Sequence, residues 1–214
     1  MKSVFHVVGG NFALMLFLLL LAGCAGMSAD ECAIVDWHTI GFEDGARGYT
    51  ADRVGDHRKA CAKHGVAPDF EAYRAGHAEG LRDYCQPSRA FNVGASGARY
   101  NGVCSANREA EFLDAYNSGY HLYNLRSRVN SVSTQINARG AELERTRDEI
   151  RETEAALISR DTLVEERVLL LADLKELSER TGQLESEILM LIEDRAHHEH
   201  ELASYQAVLA DSGY

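Results

Sequence analysis

Leu170, Leu177, Leu184 and Leu191 stand seven residues apart, with Leu174 and Ile188 filling the alternate positions of the same stripe. A heptad stripe of this kind constrains the chain more than any of its other features. It dictates an amphipathic α-helix whose apolar seam another helix must cover. The seam starts at Leu163 and continues through Leu202, Tyr205 and Leu209. Ahead of it, Leu125, Val129, Val132, Ile136, Leu143, Ile150 and Leu157 step by fours, threes or sevens, with Arg139, Thr146 and Thr153 as polar members. Leu157 to Leu163 is six residues, so one heptad frame cannot hold both sets. The break at Ser159-Arg160-Asp161-Thr162 is either a locally over- or underwound stretch of one helix or a tight reversal into a helical hairpin. Neither Pro nor Gly occurs there, which points to continuity: one helix from about Glu109 to Leu209, roughly 150 Å long at 1.5 Å per residue. A lone helix of that length cannot hold its leucines in water, so the arm is expected to self-associate or to pair with another protein.

The chain changes character near Tyr123. Residues 30–123 hold four cysteines, both prolines, the tryptophan and most glycines, whereas residues 124–214 lack Cys and Pro and contain only Gly140, Gly182 and Gly213. The expected fold class is all-α: a small disulfide-stapled helical module over residues 32–123, then a long coiled-coil helix, or helical hairpin, over 124–209, and a tail at 210–214. No further apolar run approaches the ~20 residues of a transmembrane helix.

The first residues read as a processing signal. Lys2, the apolar run Phe12 to Leu21, and Leu21-Ala22-Gly23 before Cys24 have the form of a bacterial lipoprotein signal. Residues 1–23 are expected to be removed, Cys24 to carry lipid, and residues 24–31 to act as a linker. Loss of Lys2 takes the formal charge from −11 to −12. So acidic a chain is not expected to bind nucleic acid or an anionic bilayer by charge. Membrane association would come from the acyl chains, at ~0.8 kcal/mol per buried methylene. Ala25 after the lipid cysteine, rather than Asp, fits an outer-membrane address facing the periplasm.

In an exported chain the even set Cys32, Cys61, Cys85 and Cys104 reads as two disulfides. The gaps of 28, 23 and 18 residues do not form the close pairs of a zinc site. If the first segment turns back near Gly48-Tyr49-Thr50, Cys32 meets Cys61, leaving Cys85–Cys104 to close the loop of small residues after Pro87. That favours 32–61 with 85–104. The nested pairing of 32–85 with 61–104 gains if residues 36–63 form one unbroken helix.

Gly41, Gly45 and Gly48 are spaced four and three apart and Gly76 and Gly80 four apart, inside segments that otherwise read as helix. Each costs a helix about 1 kcal/mol relative to alanine. Such a cost is tolerable where another backbone approaches closely or an aromatic ring lies across the flat face. The expectation is short helices at close range, with Trp37, Tyr73, Tyr84 and Tyr116 covering the glycines. A glycine-lined ligand groove is the alternative. Ala72-Tyr73-x-x-Gly76 echoes as Ala115-Tyr116-x-x-Gly119, a weak internal repeat. Pro68 with Asp69 marks the end of one helix and the start of the next, and Gln86-Pro87-Ser88 ends the second at Cys85. Residues 86–104 then read as a loop, or a short helix flanked by turns.

These positions also carry a resemblance. The series Cys32, Asp36-Trp37, Gly41, Asp44-Gly45, Gly48, His57, Cys61, Pro68-Asp69, Tyr73-x-x-Gly76-x-x-x-Gly80-Leu81-x-x-Tyr84-Cys85, Gly94, Gly97, Tyr100, Cys104, Phe112 and Tyr116-x-x-Gly119 resembles an uncharacterised family of small exported Gram-negative lipoproteins, a domain of unknown function. The resemblance spans residues 30–123. It implies a helical, cysteine-bearing module and transfers no activity or catalytic residue.

Two clusters have the composition for chemistry. Asp36, Glu43 and Asp44 with His57 are the candidate acid–base group of a cell-wall-acting hydrolase, since paired carboxylates in different environments divide such roles. Their simpler reading is helix-start acids, with Asp44 hydrogen-bonding locally. His197, His198 and His200 lie beside Asp194, Glu199 and Glu201 and have donors suited to zinc or nickel; the simpler reading is a solvated helix face. The chain lacks a nucleophile elbow and a phosphate loop, so neither catalysis nor a cofactor is expected. The expectation is a lipid-anchored envelope protein with a structural, adaptor or interaction role. A hydrolase and a small-ligand-binding module are the alternatives. Its coiled-coil partner is expected to be a second copy, as a homo-oligomer, or another envelope protein.

Overall fold

The computed structural model of the chain describes residues 27–212. Residues 1–23, Cys24 and the linker residues Ala25 and Gly26 therefore lie outside the described residues, while the rest of the expected linker leads into the first helix. Seven α-helices and one short 3-10 turn follow one another, with no strand among the described residues: α1 (Ala29–Ile34), α2 (Trp37–Ala46), the 3-10 turn (Ala51–Arg53), α3 (Val54–Ala62), α4 (Phe70–Tyr84), α5 (Pro87–Ala95), α6 (Ala106–Ile158) and α7 (Val164–Asp211). Local chemistry sets the starts. Ser28 accepts from Glu31 N and its own N–H donates to the Glu31 carboxylate, a reciprocal cap on α1. Asp36 caps α2, accepting from His38 N at 3.0 Å, and Asp69 caps α4 through Glu71 N and Ala72 N. Pro87 opens α5 at the first helical position, where its missing N–H costs nothing.

The chain divides into two compact units. The first comprises the described residues up to Arg89 together with Tyr100–Phe112. Its core gathers Cys32, Trp37, Cys61 and Tyr73, with Met27, Ile40, Val54 and Val66 packed against them. Disulfides join Cys32 to Cys61 and Cys85 to Cys104, the pairing favoured by the loop argument. On the loop-entropy account each contributes about 3–4 kcal/mol by restricting the unfolded chain.

Within this unit α2 and α4 cross backbone to backbone. A methyl group at Gly41 or Gly45 would overlap the carbonyls of Tyr73 or His77, and one at Gly76 or Gly80 the carbonyls of His38 or Phe42. The glycine faces are thus filled by each other's backbones rather than by Trp37, Tyr73 and Tyr116, and no glycine-lined groove is left between them. Gly48 belongs to neither helix. It takes φ +75° just past α2 and lies under the Tyr84 ring, where any side chain would collide.

The second unit comprises Ala90–Arg99 and the residues from Leu113 onward. Here α5 and α6 cross in the same way. Gly94 faces Tyr116 O and Tyr120 N, Gly119 faces Phe91 O and Ala95 N, and Gly97 at φ +74° lies under the Tyr123 ring. This is the first crossing repeated in the same register, with Ala90 and Ala115 in the places of Gly41 and Gly76. Phe42, Gly45, Ala46 and Gly48 correspond to Phe91, Gly94, Ala95 and Gly97; His77, Gly80 and Tyr84 correspond to Tyr116, Gly119 and Tyr123. Even a side-chain bond is kept: the ring of His77 meets Tyr49 O at 2.8 Å, and the hydroxyl of Tyr116 donates to Ala98 O at 3.1 Å. The internal repeat is real, but the echo of Tyr73 in Tyr116 is one helical turn out of register, since Tyr73 corresponds to Phe112.

The arm is a hairpin, which corrects the expectation of a continuous helix. Helix α6 ends at Ile158 and α7 returns antiparallel from Val164. Arg147 meets Glu185 at 2.8 Å, Arg139 meets Glu187 at 2.9 Å, Glu142 pairs with Arg180, and Tyr205 OH donates to Ser118 O at 2.9 Å. No non-glycine residue takes a positive φ at the reversal. Arg167 instead ties it by donating to Ser159 O at 2.9 Å and Thr162 O at 3.3 Å, while Thr162 donates to Ala156 O at 2.6 Å. The two heptad registers become the two sides of one seam, in which Leu125, Val132, Leu143 and Leu184 are buried.

Candidate functional site

Of the four candidate acid–base residues, two do not converge. Asp36 is spent as a helix cap, also accepting from the Thr39 hydroxyl at 2.6 Å. Those two bonds, the Thr39 hydroxyl's the larger, hold its carboxyl below the usual range. Glu43 is exposed and pairs with Arg47 at 3.7 Å.

Asp44 is different. It lies on the inner face of α2, is 4% exposed, and hydrogen-bonds far along the chain rather than locally. Its Oδ2 accepts from Tyr73 OH at 2.8 Å and meets Nε2 of His57 at 2.8 Å; its Oδ1 accepts from Arg53 Nε at 3.0 Å. A buried carboxylate persists only with such a full set of donors. Burial, and then the Asp44 carboxylate, push the Tyr73 phenol far above its ordinary value, so Tyr73 remains a neutral donor. Arg53 also lies over the Tyr49 ring, 4.1 Å from its centre. The sequence singled out Asp44 and His57 together and missed Arg53 and Tyr73 as their partners. Tyr73 could have been found from its place seven residues before Gly80, on the face that meets α2; Arg53 has no comparable signal.

With Nε2 turned to Asp44, His57 has one further ring nitrogen, Nδ1. The pair resembles two members of a hydrolytic triad, yet the third is missing: no hydroxyl or thiol is among the partners of His57, and all four module cysteines are in disulfides. The repeated helix pair shows what the cluster is for. In α5 and α6 the places of Asp44 and Tyr73 are held by Val93 and Phe112, so a crossing of this kind packs without a carboxylate. What the first crossing has and the second lacks is an inserted element, the 3-10 turn and α3, which carry Arg53 and His57. Asp44 fastens that insertion to the helix pair.

The histidine cluster near the end of α7 is engaged otherwise. His198 Nδ1 and His197 Nε2 meet the two oxygens of Glu201 at 3.2 and 3.4 Å. The His198 bond is the main reason the Glu201 carboxyl lies below its usual range. No three His, Cys, Asp or Glu side chains converge to hold a metal among the described residues. His200 does not join the group.

The hairpin has two unlike flanks. On the side of the Glu142–Arg180 pair runs an acidic groove of about 700 Å³, lined by Glu149, Glu152, Asp173, Glu176 and Glu179 over Thr146 and Leu177. On the side of the Arg147–Glu185 pair, α7 presents large apolar side chains to solvent, with Val164 73%, Val168 64% and Leu189 65% exposed. No helix among the described residues is long and apolar enough to cross a membrane.

Residues 36–121, less than half of the chain, match the model of a family described as a protein of unknown function (DUF2799). The matched segment contains both glycine-packed crossings and the whole Asp44 cluster, and stops where α6 continues into the hairpin. No curated protein and no solved structure matches the chain.

Proposed function

We propose that the protein is a lipid-anchored component of the bacterial envelope, held at the outer membrane through Cys24 and facing the periplasm, with a structural or adaptor role carried by the hairpin. The observation that carries this reading is the exposed apolar flank of α7. Val164, Val168, Leu171 and Leu189 are each more than half exposed although the hairpin seam is already covered. Large apolar side chains left in water in two groups along one flank of a folded chain, on either side of a polar centre, mark an interaction site. Two disulfides accord with an oxidising compartment, and Leu21-Ala22-Gly23-Cys24 supplies the anchor. The Asp44 cluster does not argue for catalysis, because all its donors serve the carboxylate and its place in the repeat is explained by α3.

The test is the fate of Cys24. A Cys24→Ala chain should lose palmitate incorporation and accumulate as unprocessed precursor, while the wild-type chain is labelled and sediments with outer membranes. Normal processing and membrane retention of the variant would remove the lipoprotein reading.

A further inference from the structure

The exposed flank of α7 reads the same in both directions. From Val164 to Ala196 it presents one residue every three or four positions, all exposed, and they match in pairs about a point between Ser178 and Gly182. Val164 answers Ala196, Val168 answers Ile192, and Leu171 answers Leu189; then come Lys175 with Glu185 and, at the centre, Ser178 with Gly182. Each pair of numbers sums to 360. In two antiparallel helices related by a two-fold axis, residue i of one copy lies opposite residue 360 − i of the other. Apolar side chains then meet apolar ones, lysine meets glutamate, and the smallest residues meet where the axes come closest.

The glycines supply an independent argument. Gly41, Gly45, Gly76, Gly80, Gly94 and Gly119 all lie inside helices, and each has another helix's backbone against it. Gly182 also lies inside a helix, yet nothing stands within 4 Å of the place its Cβ would take, and the same holds for Gly140 on α6. Gly55 in α3 is open as well, but it lies at no crossing; Gly182 is the open helical glycine at the centre of the exposed flank of α7, where a second helix would give it the neighbour that the crossing glycines have.

We propose that α7 packs antiparallel on α7 of a second copy of this chain, across a two-fold axis passing between Ser178 and Gly182. The proposal deepens the adaptor reading, and rests on it, by naming the hairpin's partner. The strip from Val164 to Ala196 is roughly 48 Å long at 1.5 Å per residue, and a helix is ~10 Å wide, so its footprint is on the order of 500 Å² before side-chain relief is counted. That approaches the ~600–1,000 Å² per partner of a specific dimer. Lys175 is 78% exposed and among the described residues pairs with Glu179, at 3.7 Å, so it is available to the second copy; Glu185 keeps half of its side chain exposed beside Arg147. The interface is isologous and closed, leaving the acidic groove of each copy free.

The experiment is sedimentation of the full chain, extracted from membranes in a mild non-ionic detergent, with helicity followed by circular dichroism. A dimer is expected at micromolar concentration. Lys175→Glu places two carboxylates opposite each other twice over and should weaken association on the order of tenfold or more, as should Glu185→Lys. The double exchange Lys175→Glu/Glu185→Lys should restore it, because the pair is reversed rather than broken. A Ser178→Cys/Gly182→Cys chain should cross-link between copies on mild oxidation. A monomeric wild-type chain, a dimer indifferent to either reversal, or singles not rescued by the double exchange would each overturn the proposal. Palmitate labelling of the same chains keeps the two readings apart: an anchored monomer overturns the interface alone, and an unanchored dimer overturns the anchoring alone.

Discussion

The hydroxyl of Tyr73 donates to Asp44 at 2.8 Å across the crossing of α2 and α4, and in the repeated crossing the same two places are held by Phe112 and Val93. Both members of the pair change together. A buried carboxylate without the hydroxyl, or the hydroxyl without the carboxylate, would leave a desolvated polar group, whereas two apolar groups of similar shape leave none.

That relationship predicts strong coupling. Asp44→Ala should cost about 3–5 kcal/mol, since it strands the buried phenol together with Arg53 and His57. Tyr73→Phe should cost about 1–3 kcal/mol. Asp44→Val combined with Tyr73→Phe, which installs the pair of the second crossing, should cost at least about 1 kcal/mol less than the sum of the Asp44→Val and Tyr73→Phe changes made separately. A double-mutant cycle by urea denaturation reads the difference, and strict additivity would show that the two side chains do not act as one unit.

The glycines should respond with opposite signs according to what stands over them. Gly80→Ala drives a methyl group into the Phe42 carbonyl and should destabilise the first unit by several kcal/mol or abolish its folding. Gly55→Ala lies in open space within α3 and should stabilise by up to about 1 kcal/mol. Thermal melts of the two variants beside wild type give the comparison.

Stability should fall at both ends of the pH scale for different reasons. The carboxyl of Glu142 is held below its usual range chiefly by the Arg180 hydrogen bond, and that of Glu201 chiefly by the His198 bond. Groups with a depressed folded value contribute stability above the unfolded carboxylate value of about 4.3, and lose it as the pH falls through the folded value. The hairpin should therefore loosen below about pH 4, and Glu142→Gln should flatten that slope. Burial raises the phenols of Tyr73 and Tyr100. Their contribution is complete below the unfolded value of about 10 and is lost as the pH rises from there through the folded values. Tyr73→Phe should reduce the alkaline loss; an unchanged alkaline limb in denaturation at pH 9 to 11 would contradict the assignment.

Much of the architecture is legible in the chain itself, because it rests on interactions a few residues apart. The heptad stripes follow from the 3.6-residue period of the helix, and Asp36, Asp69 and Pro87 announce helix starts through bonds to their own next turn. The staple of Cys32 to Cys61 follows once Gly48 is understood as a reversal. The glycine repeat is visible too, but not its register. Gly76 and Gly80 are one turn apart on the same face, so either can be matched to Gly119, and the backbones they touch fit both matches; the tyrosine rings over Gly48 and Gly97 decide for Gly80.

Three features needed the tertiary structure. The reversal at Ser159–Leu163 uses no glycine or proline, and is held by Arg167 reaching back to carbonyls up to eight residues earlier, a bond that leaves no mark on local composition. The Asp44 cluster joins residues from α2, the 3-10 turn, α3 and α4, up to 29 positions apart, so a carboxylate that reads locally as a helix-surface acid becomes the buried tie of an inserted helix. The third is the division of the α7 leucines into those that cover the seam and those left facing solvent. Periodicity determines that a helix has faces, but which face is covered depends on where the chain turns back, and the turn is made by contacts that exist only once the two helices lie side by side.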